Sequence, residues 1–397
     1  MENIVLFDEP QVRGNLLPIT FTRPVADIRQ GILTIREKWE RVLPGAYSYL
    51  TQDYLRVKYP MADAPESLFI AGHLSPDACL VEAVRGLASG EALVNGGETL
   101  AYRGSVAGFE AKSYGSVKEY DGEITAINML YDIFMGNGDA IRRDYRLVTA
   151  GRVSAALSDT CTVVGPAMTE DGTPSIFIEE GATVEGAVIN VKNGPVYIGR
   201  DVEVMEGACL RGPIALCTHS VINMGTKVYP DTTIGPWCKV GGELNNVVMI
   251  GYSNKAHDGF LGNAVIGEWC NLGAGAVASN LKNDYTEIKL WNYPAHRFLK
   301  TGLQFCGLIM GDHSKAGINT MFNTATVVGV GCNIHGAGFP RNFIASFSEG
   351  GNAGFSDVQL SKFFDIARRV MARRHVDLTD TDRAMFENIY AIAETYK

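Results

Sequence analysis

No stretch of the 397 residues approaches the ~18 consecutive apolar positions that would cross a bilayer as a helix. Positive charge is the scarcer sign: 35 Lys plus Arg against 44 Asp plus Glu leave a formal charge of −9. That balance supplies no overall field for nucleic acid or an anionic membrane, and neither is expected as a partner. Any phosphate must therefore be met by a local site. The eight cysteines contain no CxxC pair, so neither a zinc ribbon nor a thioredoxin-type redox pair can be read. The start, Met-Glu-Asn-Ile-Val-Leu-Phe-Asp, lacks a basic n-region, and the expectation is a cytoplasmic protein. At ~150 residues per domain the length predicts two or three domains.

Glycine is abundant, and 27 of the 44 glycines fall between Gly151 and Ala345, so the middle of the chain needs repeated tight turns. Every sixth residue from Ile198 gives Ile198, Val204, Leu210, Leu216, Ile222, Val228, Ile234 and Val240 without a miss. The register recurs at Ile178 and Val184, at Ile266 and Leu272, and more loosely at Met310, Ala316, Phe322, Val328 and Ile334. The fourth residue after these is usually small, as at Ala208, Thr226, Cys238, Cys270 and Cys332. One large and one small inward side chain per six residues is the pattern of a parallel β-helix. Cys238, Cys270 and Cys332 thereby read as core residues rather than metal or redox groups. Residues 245–265 and 279–309 break the period and are expected as loops leaving the coil, where a site would be sought.

Before the repeat, residues 4–7 read as a buried strand, 28–43 as a helix with Ile28, Ile32, Ile35, Trp39 and Val42 on one face, and 68–71 and 92–94 as further strands. The alternation predicts an α/β domain with a largely parallel sheet over residues 1–150. The coil would then fill 151–345. Residues 357–374 and 379–396 read as two helices, the second opened by the capping-box-like Thr379-Asp-Thr-Asp382. They predict a helical cap over 346–397, lying across the open end of the coil, whose strand edges need cover. Arg368, Arg369, Arg373 and Arg374 close the first helix, either as a phosphate patch or, more simply, as cations that complement its C-terminus and face water.

The first break contains Asn254-Lys-Ala-His257-Asp-Gly-Phe260-Leu-Gly262, followed by Ile266-Gly-Glu-Trp-Cys-Asn271-Leu-Gly-Ala274-Gly and Ser279-Asn280-Leu-Lys282-Asn283. Met310-Gly-Asp-His-Ser-Lys-Ala-Gly-Ile-Asn319 comes later. This succession resembles the acetyltransferase half of the bifunctional UDP-N-acetylglucosamine diphosphorylase/glucosamine-1-phosphate N-acetyltransferase family. The resemblance implies an α/β nucleotidyltransferase-like domain followed by a left-handed parallel β-helix. It implies acetyl transfer from acetyl-CoA to the amine of glucosamine-1-phosphate, coupled to uridylyl transfer from UTP, in a homotrimer. His257 would be the catalytic base, a role suited to an imidazole that titrates near working pH. Lys255, Asn271, Asn280 and Lys289 would bind substrate, and main chain around Ala274 would meet acetyl-CoA. Without the resemblance, the two asparagines are loop-turn residues. Phe260 stands where the family has Tyr, and Asn245 and Asn246 stand where it has a sugar-contacting lysine. Lys255, Lys282 or Lys289 would then supply the phosphate-binding charge.

The N-terminal part departs further from that family. The strand at 4–7 runs into Asp8-Glu-Pro-Gln-Val-Arg13-Gly14, with no Gly-rich loop to cradle phosphates. By resemblance to a divergent form of this domain, Arg13, Arg23, Arg29 and Lys38 would bind nucleotide, converging where a helix N-terminus favours anions. Salt bridges within the domain are the competing reading. Nucleotidyl transfer would also need Mg2+, with Asp8, Asp27 or Glu98 as ligand. A rival account of the whole chain makes the coil an oligomerisation or regulatory scaffold and the N-terminal domain the sole catalyst.

Overall fold

The computed structural model describes residues 2–169 and 171–397. Six strands build the N-terminal sheet: β1 (Asn3–Phe7), β2 (Ala46–Leu50), β3 (Ser67–Ala71), β4 (Glu91–Asn95), β5 (Glu98–Gly104) and β6 (Ser116–Glu119), in the order β2-β1-β3-β5-β4-β6. The sheet is mixed rather than largely parallel, because β5 runs antiparallel to both β3 and β4. The cause is local. Gly96 and Gly97 both take left-handed backbone, at φ 56° and 88°, which closes a two-residue hairpin and reverses the chain.

The predicted helix at 28–43 is cut to Ile35–Val42. Thr34 accepts from Glu37 N and Glu37 reaches back to Thr34 N, a capping box that fixes the start. Upstream, Gly31 is left-handed at φ 80° and Arg29 bridges to Thr34, so the apolar residues at 28–33 pack from an irregular segment. Trp39 is fully buried and its indole donates to Leu74 O at 2.8 Å.

In the coil, Ile198 pairs with Leu216, Val204 with Ile222 and Leu210 with Val228, each eighteen residues on. Three hexapeptides therefore make one turn, with three faces whose inward columns are the residues read every six positions. Face one carries Val204, Ile222 and Val240, face two Leu210 and Val228, and face three Ile198, Leu216 and Ile234, all buried. The small fourth residues, including Cys238, Cys270 and Cys332, fill the corners of the core, and burial raises all three thiols above their ordinary value.

The first break is not a loop. Val240 pairs with Lys255, fifteen residues on, and Leu244 with Leu261, seventeen on; the coil runs through 245–265 on shortened turns. The second break does leave the coil, as an antiparallel hairpin of Lys289–Asn292 with Arg297–Lys300.

Face three is largely apolar outside as well as inside, Tyr197 and Thr233 excepted. Its outward Phe177, Ala215, Val248, Val265, Ile309 and Val327 are all buried, the first two under Ile141 and Tyr145 of the helix Asn137–Thr149 and the rest in one core with the N-terminal sheet. Polar groups fix this contact: Arg23 donates to both carboxylate oxygens of Asp312, at 2.6 and 3.2 Å, and Asn137 Nδ2 to Asp231 O at 2.7 Å.

The two C-terminal helices are Leu360–Ala372 and Asp380–Ala393. The first starts later than expected because 354–357 pairs as a strand with Ser348–Gly351 and itself covers that edge. The helices pack along the junction of the other two parts: Phe363 and Phe386 meet His313, Asp382 pairs with Lys58 at 2.9 Å, and Tyr396 meets Phe21 and Tyr293. Among the described residues no helix is long and apolar enough to cross a membrane.

Candidate functional site

His257 sits in the turn that carries the chain from the face-one strand Asn254–Lys255 to the face-two strand starting at Phe260. Its side chain is exposed, and among the described residues no hydrogen bond engages the imidazole. The next coil turn brings Gly273-Ala274-Gly275 against the same corner, where Gly275 N donates to Asp258 O at 3.0 Å and Ala274 O accepts from Asn319 N at 2.8 Å. Asn271 is exposed on face one, directly paired with Asn254. His257, Asn271 and Ala274 thus share one corner and its flank.

The other candidates lie elsewhere. Lys255 points inward and is fully buried, with its ammonium on main-chain oxygens, so it presents no charge to a substrate. Asn280 lies at the corner between faces two and three, where its Nδ2 donates to Asn263 Oδ1 at 2.8 Å. The row continues to Asn246, whose amide accepts from Asn263 Nδ2 at 3.2 Å, so Asn280 is the end of a ladder of half-buried amides. Lys289 is exposed on the hairpin that leaves from that second corner, away from His257. Lys282 donates to Glu287 O within the same excursion.

Two features near His257 escaped the sequence reading. Arg374, at the end of the first C-terminal helix, reaches Asn254 Oδ1 with Nη2 at 3.3 Å, while its buried Nε has no partner among the described residues. Face two also carries a groove of about 450 Å³ lined by Val188, Asn190, Cys209, Arg211, Lys227 and Tyr229. Lys227 is joined in register to Glu243, and Glu243 to Phe260, so the groove lies on face two, two strands along from the one that follows the His257 turn. Cys209 and Lys227 each immediately precede an inward aliphatic, the signal that would have marked them as outward.

The four N-terminal cations are all buried and each has protein partners, while Nε of Arg13 and of Arg29 is left without one among the described residues. Arg13 donates to Thr20 O and Tyr54 Oη, Arg23 holds Asp312, Arg29 pairs with Glu37 at 3.5 Å, and Lys38 donates to both oxygens of Asp144 at 2.6 Å. Asp8 accepts from Val25 N and Thr51 Oγ1, and burial pushes its carboxyl up to about 6. Asp27 accepts from Tyr49 Oη and Arg36 Nε. No group of three or more His, Cys, Asp or Glu that could hold a metal occurs among the described residues. Asp8 thus has a protein donor on each oxygen, whereas both donors to Asp27 fall on Oδ1.

Fold and site together define a hexapeptide-repeat β-helix with an α/β unit docked on one face and an exposed histidine at a coil corner. Residues 4–153 match the family model described as sugar nucleotidyl transferase. The chain is 30% identical over 149 residues to a bifunctional sugar-1-phosphate nucleotidylyltransferase/acetyltransferase from Sulfurisphaera tokodaii, 37% of each chain being covered. It is 26% identical to bifunctional protein GlmU from a Nostoc species, covering 39% of this chain and 32% of that one. The GlmU of Methanocaldococcus jannaschii is 27% identical, with 39% and 36% covered. The aligned part thus spans about a third of the length of these curated relatives. Among solved structures, UDP-N-acetylglucosamine acyltransferase from Campylobacter jejuni aligns at 19% identity over 54% of this chain and 90% of its own, with a TM-score of 0.21.

Proposed function

We propose that the chain transfers the acetyl group of acetyl-CoA to the amine of glucosamine-1-phosphate. The observation that carries this reading is the exposed imidazole of His257 at a coil corner, flanked by Asn271 and Ala274. In this reaction the amine nitrogen attacks the thioester carbonyl, His257 takes the amine proton, and the coenzyme leaves as thiolate and is then protonated. Arg211 and Lys227 in the face-two groove supply positive charge for phosphate, and the N–H of Ala274, which has no acceptor among the described residues, would face the thioester oxygen. The names of the relatives support the same class of chemistry. Uridylyl transfer from UTP in the N-terminal unit is a second reading, favoured by the family match over residues 4–153.

The assembly we propose is a homotrimer. Face three is covered by the N-terminal unit, whereas the corner that holds His257 exposes Met224 and Ile318, at 72% and 74%, apolar surface that a second copy would cover. A solution mass of three chains is expected by light scattering, and a monomer at micromolar concentration contradicts it.

The test incubates the protein with glucosamine-1-phosphate, acetyl-CoA, UTP and Mg2+ and follows thiol and pyrophosphate separately. His257→Ala is expected to lose about 10²-fold or more of thiol release, the contribution of a positioned base. Full thiol release in this variant refutes the assignment.

A further inference from the structure

The inward column of face one runs Val184, Val204, Ile222, Val240, Lys255, Leu272 and Ala316. Six of these positions hold aliphatic side chains, and the seventh holds an ammonium. Lys255 is fully buried, and no carboxylate pairs with it among the described ion pairs. Packing alone asks for another aliphatic residue here, because a buried cation without an anion is unfavourable. Burial accordingly lowers the Lys255 ammonium to about 8.

The use of the charge is visible in the carbonyls of the turn. Neighbouring coil turns satisfy four of the five from 255 to 259. Gly241 N donates to Lys255 O at 2.7 Å, Asn223 Nδ2 to Ala256 O at 2.8 Å, Gly275 N to Asp258 O at 3.0 Å and Glu243 N to Gly259 O at 3.2 Å. The remaining carbonyl belongs to His257, and its donor is the Lys255 ammonium, which also lies 3.5 Å from Gly241 O. The side chain runs inside the coil and turns out at the corner, so it grips the turn from beneath while the imidazole faces solvent.

We propose that Lys255 is a positioning residue for His257: from within the coil its ammonium clamps the His257 carbonyl and fixes the turn that presents the imidazole. The inference rests on the acetyl-transfer reading for its consequence in catalysis, but the clamp itself can be tested without turnover. An aliphatic residue at 255 would complete the column and release the clamp, so stability and activity should move apart.

The experiment compares wild type with Lys255→Leu, and with the unbranched Lys255→Met in case Leu crowds the corner. Thermal midpoint, amide hydrogen exchange at residues 256–259, and the kinetics of thiol release from acetyl-CoA are measured on each. A midpoint that holds or rises, at least tenfold faster exchange in the turn, and a kcat at least tenfold lower with both KM values within about twofold are expected for a positioning role. Unchanged exchange in the turn overturns the clamp whether or not the protein acetylates. Unchanged kcat in an active protein overturns its catalytic consequence, and loss of the fold in both variants overturns it in favour of a structural lysine. Faster exchange with no thiol release from wild type upholds the clamp and sinks the acetyl-transfer reading alone.

Discussion

Asp312→Ala is expected to destabilise the protein by about 3–5 kcal/mol, the usual cost of removing one partner of a buried ion pair. Asp312 takes both Arg23 bonds, the Thr22 hydroxyl at 2.8 Å and Glu268 N at 2.8 Å. Its loss strands a guanidinium at the contact between the N-terminal unit and the coil. Glu268, at 3.2 Å from Arg23, remains, but its side chain is more exposed than that of Asp312 and does not reproduce the bidentate geometry. Replacing both partners, as Arg23→Met with Asp312→Leu, should recover most of the loss, since neither charge is then buried alone. Urea unfolding monitored by tryptophan fluorescence reads both variants. A single variant within 1 kcal/mol of wild type would remove this pair from the account of how the two parts are joined.

The same pair shows why the partners of the N-terminal cations were not legible in the sequence. Arg23 and Asp312 lie 289 residues apart, and Lys38 and Asp144 lie 106 apart; no local pattern announces such a partner. A cluster of cations after a first strand has the composition of an anion site whether its charges are free or paired, and only tertiary contact decides. The coil was far more legible because it is quasi-one-dimensional: each inward residue meets its neighbours at a nearly fixed sequence offset. Where that offset changed, the reading failed. A period of six loses the chain at Asn245, yet Asn246, Asn263 and Asn280 stand seventeen apart, as do Leu244 and Leu261. A search for the shorter period would have carried the coil through the His257 turn, placed Lys255 in the core and placed Asn280 in a ladder instead of a substrate pocket. His257 itself was found through its motif, whereas Arg374 enters from a helix some 120 residues away.

Face three was readable by another route, and it sets the second large effect. Strands covered on both sides are continuously apolar, while those with one wet side alternate. Val247-Val248-Met249, Ala264-Val265-Ile266 and Leu308-Ile309-Met310 are unbroken, whereas Cys209-Leu210-Arg211 on face two alternates. The difference identifies face three as the docking face. Val265→Asp is therefore expected to place a carboxylate in the core shared by coil and N-terminal unit, at a cost on the order of 4 kcal/mol or more. Val265 points away from the coil interior, so the inward columns stay intact and the damage falls on the docking. Limited proteolysis should then release the N-terminal unit while the coil resists, since solenoid turns are held by their own neighbours. A variant as protease-resistant as wild type would mean that the shared core is not what joins them. A variant whose coil is degraded together with the N-terminal unit would mean that the coil depends on its apolar outer face being covered.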